Sequence, residues 1–87
     1  MKSQELVFYT KPNCPLCDDA RELLVELEVP KHFHVIEKDI TQDDRLYEKY
    51  GLMIPVLEWQ GEILQYGNFV KKDLILCLER VNSSKDG

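Results

Sequence analysis

The chain has 87 residues and a mass of 10.2 kDa, room for a single domain with one modest core. Hydrophobic residues make up 44% and charged residues 31%, a balance too apolar for a disordered chain. Sixteen acids against eleven bases give a net charge of −5, which speaks against nucleic-acid binding through basic patches and against attraction to anionic lipid. The longest wholly apolar run, Leu74 to Leu78, is far short of the ~20 residues a membrane-spanning helix needs.

The first residues, Met1 to Glu5, carry no apolar export stretch. Three cysteines are too few, and odd in number, for a disulfide-stapled secreted scaffold. A reducing, cytoplasmic setting is therefore expected, where cysteines more often bind metal or do chemistry. No repeat or linker interrupts residues 1–82, which read as one domain. The polar residues 83–87 read as a disordered tail.

Leu6-Val7-Phe8-Tyr9 is a short apolar run that predicts a buried strand. After a loop, Leu16, Cys17, Ala20, Leu23, Leu24 and Leu27 recur at helical spacing, with Asp18, Asp19, Glu22 and Glu26 on the other side. Pro15 suits the first helical position and Pro30 is expected to end the helix. Phe33 to Ile40 reads as a second strand. Thr41 then reads as the N-cap of a short helix, with Leu46, Tyr47 and Tyr50 turned inward and Gly51 as a left-handed C-cap. Pro55 precedes two strand-like runs, Val56 to Trp59 and Glu62 to Tyr66, whose two-residue gap Gln60-Gly61 predicts a hairpin. A last helix places Leu74, Ile75, Leu78 and Val81 on one face. The order β-α-β-α-β-β-α predicts an α/β fold: a parallel first βαβ unit in a small mixed sheet, flanked by helices.

The chemistry concentrates in Cys14-Pro15-Leu16-Cys17, at the turn from strand into helix. A Cys-x-x-Cys beside a βαβ pattern is a signature of a redox site. Two residues three apart at a helix start share a face, with Cβ atoms ~5–6 Å apart. A small shift of Cys14 would close them to disulfide distance. One pair can thus serve as dithiol or disulfide. Cys14 would sit by unpaired N–H groups and near Lys11, a setting that lowers a thiol pKa from ~8.5 toward ~3.5–7.5. Asp18 and Asp19 oppose this, each by only ~0.3–1 kcal/mol. Cys14 is thus the expected exposed nucleophile and Cys17 the deeper, resolving thiol.

Residues Tyr9-Thr10-Lys11-Pro12-Asn13-Cys14-Pro15-Leu16-Cys17 resemble the active-site segment of dithiol glutaredoxins. Tyr50-Gly51-Leu52-Met53-Ile54-Pro55-Val56-Leu57 resembles the thioredoxin-superfamily segment that carries a cis-proline opposite the cysteines. The resemblance runs from residue 6 to about 81. It implies a glutaredoxin-like protein with a thioredoxin-like fold, a cis bond at Pro55, thiol–disulfide exchange through Cys14 and Cys17, and a substrate held by the backbone at Ile54. Lys11, Ile54, Pro55, Asn68 and Phe69 become the candidate substrate- or glutathione-binding residues, with glutathione as a co-substrate and no resident cofactor or metal. Lys71 and Lys72 could add to the attraction of an anionic tripeptide. The sequence departs from typical glutaredoxins in three places. Leu16 replaces the aromatic residue between the cysteines, Met53-Ile54-Pro55 replaces Thr-Val-Pro, and the Gly-Gly pair that opens the last helix and holds a glutathione carboxylate is missing.

The expected partners are disulfide-bearing proteins or glutathione, with glutathione or a reductase restoring the dithiol, and the expected state is a monomer. The alternatives are two structural thiols, or a non-catalytic adaptor of the same fold that holds a metal or an iron–sulfur cluster. Zinc wants about four ligands. The other soft candidates are Cys77, His32 and His34, and the two histidines begin the second strand, far from Cys14. Cys77 lies on the apolar face of the last helix, where core packing or regulatory oxidation would place it. Trp59, Tyr47 and Tyr50 read as core or hairpin packing, and Glu37-Lys38-Asp39 as a solvated strand end. Tyr9 and Phe69 read as groove lining or core.

Overall fold

The structure, a computed structural model, describes residues 4–84. Four strands form one sheet: β1 (Glu5–Thr10), β2 (His34–Asp39), β3 (Val56–Trp59) and β4 (Glu62–Tyr66). The helices are α1 (Pro15–Glu26), α2 (Val29–His32), α3 (Asp44–Tyr50) and α4 (Lys71–Ser84), with a single 3-10 turn at Ile40–Gln42. The spatial order is β2-β1-β3-β4. β1 pairs parallel with β2, and the remaining neighbours are antiparallel. This is the expected mixed α/β sheet flanked by helices, a thioredoxin-like fold. No helix among the described residues is long and apolar enough to cross a membrane.

Alternation along β1 divides the core. Leu6 and Phe8 face one side, where Ala20 and Leu24 of α1 and Leu74, Leu78 and Val81 of α4 pack with Leu57 and Leu64. Val7 and Tyr9 face the other side, with Tyr50 of α3, Ile40, Ile54, Val56 and the two cysteines at the start of α1. The larger cluster holds the sheet and its two long helices together. The smaller one holds the two cysteines.

Several local expectations are corrected. α1 ends at Glu26 with Leu27 as its cap, ahead of Pro30, which sits at the second position of α2. A proline is tolerated in a first turn, so Pro30 marks a helix start here and not a stop. β2 begins at His34, because Phe33 caps α2. Asp43, not Thr41, caps α3: its carboxylate accepts from the Arg45 and Leu46 N–H groups, and Thr41 lies within the 3-10 turn. Gly51 does end α3, but in right-handed geometry (φ −55°); a Cβ there would stand 2.5 Å from the Tyr47 carbonyl oxygen. Tyr47 is exposed while Leu46 and Tyr50 turn in, and Leu16 is 43% exposed instead of joining the apolar face. α4 continues through residues 83 and 84, read from sequence as tail; residues 85–87 lie outside the described residues.

In the hairpin turn, Gln60 (φ 49°) and Gly61 (φ 83°) are both left-handed, as a two-residue turn matching the strand twist requires. Glycine adopts this freely; glutamine does not. Gln60→Asn, which better tolerates that region, is expected to raise stability by about 0.5 kcal/mol, seen as a higher urea midpoint at unchanged slope.

Candidate active site

The site is built where β1 runs out. Asn13, with φ 57°, turns the chain sharply, a conformation asparagine accepts more readily than most residues. Cys14 follows as the extended N-cap of α1, and Pro15 takes the first helical position. The cap is made by sulfur: Cys14 Sγ accepts the Cys17 N–H at 3.1 Å, while the Cys14 carbonyl accepts the Asp18 N–H at 3.0 Å. Cys14 and Cys17 are joined as a disulfide, with Cα atoms 5.2 Å apart. Cys14 is 8% exposed and Cys17 1% exposed. Cys14, expected to be exposed, is buried by its packing with Tyr9, Ile54 and Val56, although it stays the more accessible of the two.

Opposite the pair runs residues 53–55, with a cis peptide bond between Ile54 and Pro55. Ile54 packs in the same cluster as both cysteines. Its N–H donates to the Tyr50 carbonyl at 3.1 Å. Its carbonyl accepts no hydrogen bond from the described residues. Leu52, just before it, is wholly exposed. Leu16, between the cysteines, is exposed as well.

The other candidate residues are more dispersed. Lys11 is half-buried at the start of the loop leading to Cys14. The Gly67 N–H is shared between the Met53 and Pro55 carbonyls, which fastens the following turn beside the cis-proline segment. Asn68 in that turn is exposed. Phe69 instead packs into the other core cluster, edge-on to Phe8 with centroids 6.1 Å apart. The Val70 N–H, at the start of α4, is taken by the Gln65 side-chain oxygen at 3.3 Å. Lys71 pairs with Glu26, the last residue of α1, about 14–18 Å along that helix from the two cysteines. Among the described residues no group of three or more His, Cys, Asp or Glu side chains converges as a metal would require. His32 and His34 are exposed, and Cys77 packs against the core cluster of α4 with its thiol directed at the Leu64 carbonyl, 3.5 Å away.

Two polar networks around the site were not read from sequence. Beneath the pair, the Tyr9 and Tyr50 hydroxyls each donate to Glu58, one to each carboxylate oxygen, both at 3.1 Å. Their rings stack at 4.6 Å, and the Lys49 ammonium stands 5.0 Å over the Tyr50 ring. At the side, Glu37 accepts from Arg21 at 3.1 and 2.6 Å and from Thr10 at 3.0 Å, so it is no merely solvated strand end. The Arg21 guanidinium and the Thr10 hydroxyl hold the Glu37 carboxyl below the usual range. Alternation along β3 puts Glu58 on the face of Val56. Its two phenol partners, however, come from β1 and α3, a meeting that only the assembled sheet produces.

Burial and the neighbouring Glu58 carboxylate push the Tyr9 phenol up to about 12 from its ordinary 10.0. A group that binds its proton more tightly when folded stabilises the fold below its unfolded pKa and loses that contribution as pH rises through its folded one. Urea unfolding is therefore expected to show a loss between pH 10 and 12, on the order of 2 kcal/mol, that is absent in Tyr9→Phe. Equal alkaline slopes in the two proteins would contradict this.

The geometry agrees with what the chain resembles. Residues 5–83 match the model of the glutaredoxin-like domain (DUF836). Among solved structures, the structural genomics target protein XcR50 from X. campestris is 28% identical with a TM-score of 0.73, covering 86% of this chain and 96% of that one. Protein Ne2328 from Nitrosomonas europaea, at 24% identity and a TM-score of 0.71 over 90% of this chain and 93% of that one, shares the fold. A malarial protein does so at 15% identity and a TM-score of 0.61, over 91% of this chain and 97% of that one. With a disulfide-forming Cys-x-x-Cys at the head of its first helix and a family model matched over nearly its whole length, the chain belongs to the glutaredoxin-like domain family of the thioredoxin superfamily.

Proposed function

We propose that the protein is a thiol–disulfide oxidoreductase. In the dithiol form, the Cys14 thiolate attacks one sulfur of a substrate disulfide, forms a mixed disulfide and expels the other substrate sulfur as a thiolate. Cys17, having lost its proton, attacks Cys14 Sγ. The second substrate sulfur leaves as a thiolate, and the Cys14–Cys17 disulfide remains. Two electrons have passed from the protein to the substrate. The observation that carries this reading is the N-cap. The Cys14 sulfur accepts a backbone N–H at a helix start, where donors and dipole stabilise the anionic form more than the neutral one, and it is the more accessible of the pair.

The Ile54 carbonyl and the exposed Leu16 and Leu52 support an extended segment of a disulfide-bearing protein as substrate, with a glutathione mixed disulfide as the smaller alternative. Lys11 and Asn68 are the polar side chains that would meet either. Glutathione or a reductase would return the disulfide to dithiol in a reducing, cytoplasmic setting, and the protein would act as a monomer.

The test is a trap. Cys17→Ser, reduced and mixed with a disulfide-bonded peptide, is expected to accumulate a mixed disulfide at Cys14, located by mass spectrometry of the digested protein. The wild-type pair is expected to show a reduction potential between about −180 and −270 mV, the range of known thiol oxidoreductases. Capture at Cys77 instead of Cys14, or no capture at all, would overturn the assignment.

A further inference from the structure

We infer that Arg21 is a positioning residue for the Cys14 chemistry: it brackets the loop that carries the nucleophile and cancels the carboxylate nearest to it in the helix. This rests on the exchange reaction proposed above and adds a residue that the cysteine motif does not include.

One hydrogen-bonded chain runs from the end of β1 to the first turns of α1. Thr10, the last residue of β1 and only 3% exposed, donates to Glu37 at 3.0 Å. Glu37 takes both ends of the Arg21 fork, Nε at 3.1 Å and Nη2 at 2.6 Å. The remaining Arg21 nitrogen donates to Asp18 at 2.9 Å. The guanidinium also stands 5.9 Å over the Phe8 ring. Thr10 lies four residues before Cys14, Asp18 directly after Cys17, and Arg21 one turn further. The end of β1 and the second turn of α1, on either side of the loop and Cys14, are thus tied to one carboxylate on β2. A planar fork satisfying two carboxylates at once is a geometry lysine cannot reproduce.

The electrostatic consequence concerns Asp18. It lies in the first turn of α1, where its charge opposes a thiolate at the same helix end. Paired with Arg21, it opposes less. The other charged or titratable groups on the surrounding elements are Lys11 in the loop, Asp19 on α1, Glu58 with Tyr9 and Tyr50 beneath, and Lys49 on α3. These keep their contacts when Arg21 is replaced; Glu37 on β2 loses its Arg21 partner together with Asp18, and the added Asp18→Asn change separates the two carboxylates.

The experiment is the pH dependence of iodoacetamide alkylation at Cys14 in the reduced full-length protein, read by mass spectrometry of the Cys14 peptide. Arg21→Met is expected to slow alkylation at pH 7 by about two- to fivefold and to move the midpoint to higher pH, as loss of one compensating charge near a helix start implies. Adding Asp18→Asn to Arg21→Met should recover most of that loss, and Arg21→Lys, which keeps the charge but not the fork, should fall between wild type and Met. A profile for Arg21→Met that superimposes on wild type, even with a lowered thermal midpoint, overturns the inference, as does a loss that Asp18→Asn fails to relieve. The two readings fail separately: a wild-type profile like that of free cysteine counts against the exchange reaction, whereas superimposed profiles count against Arg21.

Discussion

The structure turns on one hydrogen bond, from the Cys17 N–H to the Cys14 sulfur. A helix start leaves its first N–H groups without partners, and a short polar side chain at the cap usually supplies the acceptor. Here the acceptor is the sulfur proposed as the nucleophile. A neutral sulfur is a weak acceptor and an anionic one a strong one, so the helix is better capped by thiolate than by thiol. Local folding and chemistry thereby draw on the same donor. Whatever keeps Cys14 extended and Cys17 in the first turn sustains both.

Each neighbouring element does part of that holding. Asn13 supplies the left-handed turn that swings the chain out of β1 and into the cap. Ile54 and the buried Pro55 close the opposite side. Tyr9 and Tyr50 form a floor whose hydroxyls are both spent on Glu58, so the small cluster around the cysteines is apolar at its surface and hydrogen-bonded at its base. A carboxylate with two phenol donors loses little on partial burial, whereas an unpartnered one would be costly. This lets an acidic residue sit among strands whose buried side chains are mostly apolar. Leu16 and Leu52 are both exposed in the segments beside this cluster. They offer contact area in place of charge, which is why the proposed substrate is a segment of protein chain.

Much of the fold was legible because its signals were local. The Leu6-to-Tyr9 run, the helical spacing behind Cys17, the two-residue hairpin gap and the Cys-x-x-Cys each lie within a few residues. The order of elements follows from them. The misreadings also have local causes. Pro30 breaks a helix and begins one equally well, and Asp43 and Thr41 are both capping residue types two positions apart, so neither choice is fixed without the backbone. What stayed hidden was set by register. The pairing of Phe8 with Glu37 in β1 and β2 carries Glu37 to the edge beneath Arg21, and that of Val7 with Glu58 in β1 and β3 carries Glu58 to Tyr9. Asp18 and Arg21 are spaced as helix neighbours and could have been paired by eye. Phe69 shows the limit of reading by position: it belongs to the expected turn, but its ring follows Phe8 into the opposite core.

The division of the core into two clusters also settles the place of the third cysteine. Cys77 packs with Leu6, Phe8, Leu57 and Leu64, whereas Cys14 and Cys17 pack with Val7, Tyr9 and Val56. The first turn of α1 carries the pair into the Tyr9 cluster, whereas Cys77 on α4 belongs to the Phe8 cluster, so the lone thiol and the pair sit in separate parts of the core. Exchange of Cys77 into the Cys14–Cys17 disulfide needs sulfur to meet sulfur, and the folded packing holds these sulfurs in different clusters. The α4 thiol is instead occupied with the Leu64 carbonyl on β4. An odd cysteine count, which in an open scaffold invites scrambled disulfides, is held in check when two of the three sulfurs pack in one core cluster and the third in another.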